Sequence, residues 1–155
     1  MARLNRDAAD ALHEVEAASG SQYGGATPVH AVTDITGFGL LGHAREMALA
    51  GDVCFEIDHR AIAYFPGAVE AARGGHLAGG LKNNRDFICT SAAFADSVTQ
   101  EFRDLLFDPQ TSGGLLVSLA PEAAPAALAA MERRGVIARG IGRVLKKAAP
   151  ILKVI

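Results

Sequence analysis

The sequence predicts an α+β domain, a mixed β-sheet with helices packed on it. Three observations lead there. Half of the 155 residues are hydrophobic, enough for a packed core and too many for a disordered chain. Runs with a helical period are interspersed with short apolar or alternating runs of strand type. The last two strand-like runs, 141–145 and 151–155, leave no room for a helix between them, so the sheet cannot consist only of helix-linked parallel strands.

Taken in order, Leu4, Ala8, Ala11, Leu12 and Val15 recur at helical spacing and predict a helix over 4–19. Asn5 is its expected cap and Ser19-Gly20 its stop. Residues 21–28 read as a polar, glycine-rich connector. A strand at 29–33 leads into an acidic turn at Asp34. The next helix runs from Gly39 to Ala50, with Gly51 as a left-handed C-terminal cap. Val53 to Ile57 alternates and predicts a strand. Pro66 suits the first turn of a short helix through Ala72, which Gly74-Gly75 ends. The glycines and asparagines of 76–84 read as a surface loop. Phe102, Leu105 and Leu106 predict a short helical piece before Asp108. Leu115 to Leu119 reads as a buried strand. Pro121 opens an alanine-rich helix with Leu128 and Met131 on one face, closed by Gly135. Lys146 and Lys147 make the turn between the last two strands polar. No internal repeat is present.

Composition excludes several functions. A formal net charge of −2 gives no argument for nucleic acid or an anionic membrane as partner. No apolar run is long enough to span a bilayer. The start Met-Ala-Arg-Leu-Asn-Arg lacks the apolar core of a signal peptide, which leans toward the cytoplasm. Cys54 and Cys89 lie in apolar surroundings without CxxC spacing and read as reduced core thiols. The five histidines, His13, His30, His43, His59 and His76, show no metal-binding spacing. They read as structural or surface residues.

The most informative segment is 29–43, an apolar strand, an acidic turn and a glycine-rich helix start. This order puts one carboxylate beside backbone N–H groups. A carboxylate binds a hard cation, and helix-start N–H groups bind phosphate. The pairing points to chemistry on a metal-bound phosphate. Asp34 has two readings here. It is a metal ligand, or it caps the helix by accepting from the N–H groups of residues 36 and 37. One aspartate cannot hold magnesium alone, so further ligands must come from a nucleotide or another domain. Gly37, Gly39 and Gly42 also match GxGxxG, with Asp58 about 20 residues on, as a dinucleotide fold requires. Against that reading, Asp34 and Thr36 separate the strand from the first glycine, and no repeated strand–helix–strand pattern follows.

A second polar turn, Asp108-Pro109-Gln110-Thr111-Ser112-Gly113-Gly114, precedes another apolar strand. It reads either as an aspartate–proline turn with Thr111 and Ser112 bonding their own backbone, or as one wall of a substrate cleft. The candidates facing phosphate or the cleft are Thr33, Thr36, Gly37, Gly39, Asp108, Gln110, Thr111, Ser112 and Gly113. In this reading the second turn faces the same cleft as Asp34.

Together, Thr33-Asp34-Ile35-Thr36-Gly37-Phe38-Gly39-Leu40-Leu41-Gly42-His43 and Asp108-Pro109-Gln110-Thr111-Ser112-Gly113-Gly114-Leu115-Leu116 closely resemble the selenophosphate synthetase family, also called selenide, water dikinase. Residues 4–9, 79–84 (similar to a Gly-Gly-x-x-x-Asn loop) and 141–144 agree in the same order. The resemblance covers nearly the whole chain. That family belongs to the aminoimidazole ribonucleotide synthase superfamily, whose members join an N-terminal ATP-binding domain to a C-terminal α+β domain. The resemblance implies that residues 1–155 are the C-terminal domain alone, with the N-terminal domain as partner. It implies the conversion of ATP, selenide and water to selenophosphate, phosphate and AMP. It implies a Mg2+ ion shared with the N-terminal domain, Asp34 as a ligand to it, and a homodimeric parent. The family's reactive cysteine or selenocysteine, its lysine and its other metal-binding aspartates have no counterpart here. Cys54 and Cys89 do not match the catalytic position. No catalytic residue is therefore expected in this chain, and the chain alone is expected to be inactive. The alternatives are a related superfamily enzyme acting on another phosphorylated small molecule, and a binding module without catalysis.

Overall fold

The computed structural model describes residues 5–19 and 27–155. The expected helix start at Leu4, the stop at Gly20 and most of the 21–28 connector lie outside them. The chain divides into two compact units, Met1–Asp34 with Gly114–Gly140 and Ile35–Gly113 with Ile141–Ile155. The crossings fall at Asp34–Ile35 and Gly113–Gly114, inside the two motifs, and again at Gly140–Ile141.

The first unit pairs two helices with a two-stranded sheet. Helix α1 (Arg6–Ser19) buries Ala8, Ala11, Leu12 and Val15, the predicted stripe. Strand β1 (Val29–Asp34) pairs antiparallel with β4 (Leu115–Leu119), Asp34 lying opposite Leu115. A register shift between Val29 and Ala31 marks a bulge. A 3-10 turn at Pro121–Ala123 leads into α6 (Ala124–Arg133). Helices α1 and α6 share a core of alanines with Leu12, Val15 and Met131, against which Val29, Leu115, Val117 and Leu119 pack. Small side chains let the helix axes approach closely, and burying each larger apolar side chain contributes about 1.5–3 kcal/mol. Leu128 departs from expectation. It is exposed, and the buried face carries Ala127, Ala130 and Met131. Strand β4 is half-buried throughout, not fully buried.

The second unit holds a four-stranded mixed sheet in the order β3-β6-β2-β5. Its strands are β2 (Val53–Ile57), β3 (Ala92–Phe94), β5 (Gly142–Lys146) and β6 (Leu152–Val154). β5 runs antiparallel to β2, while β6 is parallel to both β2 and β3. The α+β class with a mixed sheet therefore holds, but the strands divide between two sheets. Helix α2 (Gly39–Ala50) buries Leu41, Ala44 and Ala48 and packs on β2 and β6. Helices α3 (Ala68–Arg73), α4 (Leu81–Ile88) and α5 (Gln100–Phe107) complete the unit.

Three local expectations change, and one strand was not expected. Gly51 is right-handed at φ −86, because its N–H still bonds the carbonyls of Met47 and Leu49. The left-handed residue is Asp52 at φ 53, a side chain that tolerates this conformation. The predicted 76–84 loop gives way at Leu81 to α4, whose buried Leu81, Asn84 and Ile88 lie three and four residues apart. Tertiary burial overrides the weak helix propensity of Asn83-Asn84. Strand β3 is too short to show a period in sequence. Cys54 is buried as expected, but Cys89 is exposed; both thiols are free. Among the described residues, no helix is long and apolar enough to cross a membrane.

Candidate functional site

In the first unit, the site residues are the last two of β1. Strand alternation puts Asp34 on the exposed face with Val32 and puts half-buried Thr33 on the other face with Ala31. The Thr33 hydroxyl donates to the Asp34 carbonyl at 3.3 Å. The Asp34 carboxylate makes no hydrogen bond or ion pair among the described residues. The helix-cap reading of Asp34 fails, because the N–H of Thr36 donates to His43 Nε2 at 3.0 Å. Phe38 stands at the N-cap of α2, and no side chain caps that helix.

In the second unit, residues 35–39 form a turn held from several sides. The carbonyl of Ile35 accepts from the Gly113 N–H at 3.0 Å. The carbonyl of Thr36 accepts from Gly39 N–H and Gln110 N–H, both at 3.0 Å. The carbonyl of Gly37 accepts from Asn84 Nδ2 at 2.9 Å. His43, one helical turn below, fixes Thr36 through its N–H and stands 3.2 Å from its hydroxyl. The His43 ring must present a lone pair at Nε2 for this, so the neutral ring carries its proton on Nδ1. The N–H groups of Gly37 and Phe38 make no hydrogen bond among the described residues. Both residues are exposed.

The glycines have separate reasons. Gly39 has φ +69, and a Cβ there would lie 2.9 Å from the backbone of Phe107 and Asp108. A side chain at Gly113 would run into the Ile35 carbonyl oxygen. Gly42 lies under the Phe38 side chain, while a Cβ on Gly37 would meet nothing within 4 Å. Protein packing thus accounts for Gly39 and Gly42 of the GxGxxG match, and no packing contact requires the glycine at 37. Antiparallel pairing of β1 removes the parallel strand that a dinucleotide fold would need.

The 108–113 segment rests on the same network. Gln110 bonds Thr36 through its N–H and the Asp108 carboxylate through Nε2, at 2.8 Å. Burial pushes the Asp108 carboxyl above its ordinary range, and the Gln110 contact partly offsets this. Thr111 and Ser112 are exposed, and their side chains make no hydrogen bond among the described residues. The self-bonded turn expected as the plain alternative is not formed by these two hydroxyls.

Two residues of this network were not among the sequence candidates. His43 read as structural, since nothing in sequence places its ring under Thr36. Asn84 fell in the predicted loop. The signal that could have found it is the spacing of Leu81, Asn84 and Ile88, a helix face with one polar member. Phe87, on the same helix, stacks on Phe38 with ring centroids 5.5 Å apart, and Arg45 lies 4.8 Å over Phe87.

The donor set fits magnesium only in part. Among the described residues, no group of three or more His, Cys, Asp or Glu side chains could hold a metal ion. Asp34 supplies one exposed carboxylate, and magnesium is commonly held by one or two carboxylates with phosphate oxygens and waters.

The sequence of this chain matches a known domain class. The family described as AIR synthase related protein, C-terminal domain, matches residues 6–155, and the chain belongs to that family. Over 148 residues it is 42% identical to selenide, water dikinase of Pelobacter propionicus, covering 95% of this chain and 39% of that protein. It is 43% identical over 148 residues to selenide, water dikinase 2 of Peptoclostridium acidaminophilum, with the same coverage. Selenide, water dikinase of Escherichia coli is 37% identical over 127 residues, covering 82% of this chain and 36% of that protein. The chain therefore spans about two fifths of the length of these relatives, which carry further sequence beyond the matched region.

Proposed function

We propose that this chain is the C-terminal domain of a selenophosphate-forming enzyme. It works with an N-terminal ATP-binding domain to convert ATP, selenide and water to selenophosphate, phosphate and AMP. Asp34 serves as one magnesium ligand, and the Thr36–Gly39 turn faces the phosphates. One observation carries the reading. The carbonyls of Ile35, Thr36 and Gly37 are all bonded inward, whereas the N–H groups of Gly37 and Phe38 and the carboxylate of Asp34 make no bonds among the described residues. A turn so arranged offers donors to an anion, preceded in sequence by one carboxylate for a cation.

Magnesium, when bound, would neutralise phosphate charge that builds during phosphoryl transfer. The chain's own part is to hold that ion by Asp34 and to keep the turn's donors fixed. Phosphoryl transfer needs several cationic clamps and positioned donors. One carboxylate and two turns do not complete such a site, which supports a role as part of a larger enzyme. The names of the relatives, and the length by which they exceed this chain, support the same reading. No nucleic acid or membrane partner enters it.

Asp34→Asn tests it in the protein expressed from its complete coding sequence. The amide keeps the size and loses the charge. Selenide-dependent AMP formation is expected to fall about 100-fold or more, the scale of losing one electrostatic stabiliser. The melting midpoint is expected to stay within a few degrees, since the carboxylate bonds nothing among the described residues. Near-normal turnover at saturating magnesium would remove Asp34 from the site.

A further inference from the structure

We propose that Asn84 is a positioning residue that sets the spacing between the two glycine turns. Its side chain is buried, at 6% exposure. Its Nδ2 group donates to the Gly37 carbonyl at 2.9 Å and to the Phe107 carbonyl at 2.9 Å. Both partners are carbonyls, so the nitrogen must face them, and both hydrogens of the amide are used. One group thus ties the first turn to the residue that precedes Asp108. The Asn84 backbone N–H is separately bonded to the Gly80 carbonyl at 3.2 Å, at the start of α4.

Helix α4 is itself held in position. Arg85 pairs with buried Asp104 on α5, which Gln100 also bonds at 2.8 Å. Phe87 stacks on Phe38 beside the turn. The Phe38 ring also has His43 5.8 Å away, while Arg45 lies over Phe87. This column of rings anchors α4 to the start of α2 and carries Asn84 to Gly37. The Gly39 backbone closes against Phe107 and Asp108 on the other side of the same joint.

The proposal rests on the selenophosphate reading for its catalytic part, and the experiment separates the two. Asn84→Leu keeps the branching and the number of side-chain heavy atoms and removes both donors; Asn84→Ser keeps one donor. Both are made in the protein expressed from its complete coding sequence. Hydrogen exchange is followed in peptides covering 35–40, 108–114 and, as a control, 124–133. In Asn84→Leu, exchange should rise in the first two and stay unchanged in the third, with Asn84→Ser between wild type and Asn84→Leu. Unchanged exchange in both turn peptides overturns the proposal whether or not the enzyme is active. In the activity arm, kcat should fall about 10- to 100-fold, as expected for a displacement near 1 Å, with a smaller change in KM. Faster exchange with kcat unchanged would leave Asn84 a fold residue only and overturn the positioning role. A wild-type protein without selenide-dependent AMP formation would refute the selenophosphate reading, and the exchange arm would then decide the coupling alone.

Discussion

The two glycine turns look alike in sequence and are built differently. The turn at 36–39 has its carbonyls bonded to Gly39, Gln110 and Asn84 and its Thr36 N–H bonded to His43. The 108–114 turn contributes Gln110 and Gly113 to that network. It leaves Thr111 and Ser112 exposed, with no side-chain hydrogen bonds among the described residues. The hydroxyls of Thr111 and Ser112 are thus not what makes the second turn rigid. Rigidity comes from backbone groups with fixed partners, and the exposed hydroxyls are left for other contacts.

The largest expected effect separates close-packed glycines from open ones. Gly39→Ala must adopt a left-handed backbone and displace the Phe107–Asp108 chain. The expected loss is roughly 2–5 kcal/mol, adding a left-handed penalty of about 1–2 to an overpacking cost of about 1–3. Gly113→Ala, aimed at the Ile35 carbonyl, should lose roughly 1–3 kcal/mol. Gly37→Ala and Gly114→Ala meet nothing within 4 Å and should stay within about 0.5 kcal/mol. Denaturant melts of the four variants check the order. Equal losses at all four would mean that the turns are held by something other than these backbone contacts.

A smaller effect tests the exposed hydroxyls. Thr111→Ala with Ser112→Ala should change stability by no more than about 0.5 kcal/mol, because no bond is removed. If these groups line the site, turnover of the complete protein should drop while the melting midpoint stays. A clear loss of stability with normal kinetics would restore the self-bonded turn.

The smallest effect contrasts two carboxylates that flank this region. The Arg73 guanidinium bonds Glu101 and, with a backbone N–H and Thr99, lowers its carboxyl from the ordinary 4.5 to about 2. A lowered value means that the folded state holds fewer protons than the unfolded chain. The contribution is present above 4.5 and is lost as pH falls through about 2. Asp108 has the opposite sign, since burial raises it, so its ionised form disfavours folding and protonation relieves this. The stability difference between wild type and Glu101→Gln should shrink on acidification from 4.5 to 2. For Asp108→Asn, any stability gain over wild type should be present at neutral pH and fade as acid protonates Asp108. Parallel trends for the two variants would contradict this assignment of causes.

Much of the fold was legible because it rests on local patterns. The α1 stripe, the strands at β1, β2 and β4, and the α2 start follow from period and turn chemistry over a few residues each. Both motifs could be read as neighbours of a strand and a helix for the same reason. Several features were not legible. The divided sheet, the short β3 strand and the helix at 81–88 depend on which apolar faces meet after the chain has folded, and Asn83-Asn84 carries no local helix signal. The reason for Gly39 was hidden as well, since its close neighbour is Phe107, 68 positions along the chain.

By itself, the sequence determined the class of fold, the two polar turns and the acid that ends β1, because each is written in adjacent residues. Only the tertiary structure decided which polar groups are consumed by the fold and which remain open. Asn84 and His43 are used to hold the first turn, whereas the Asp34 carboxylate bonds nothing among the described residues. The physical reason is that a hydrogen bond needs its partner within about 3 Å, and these partners are brought to that distance by packing between elements distant in the chain.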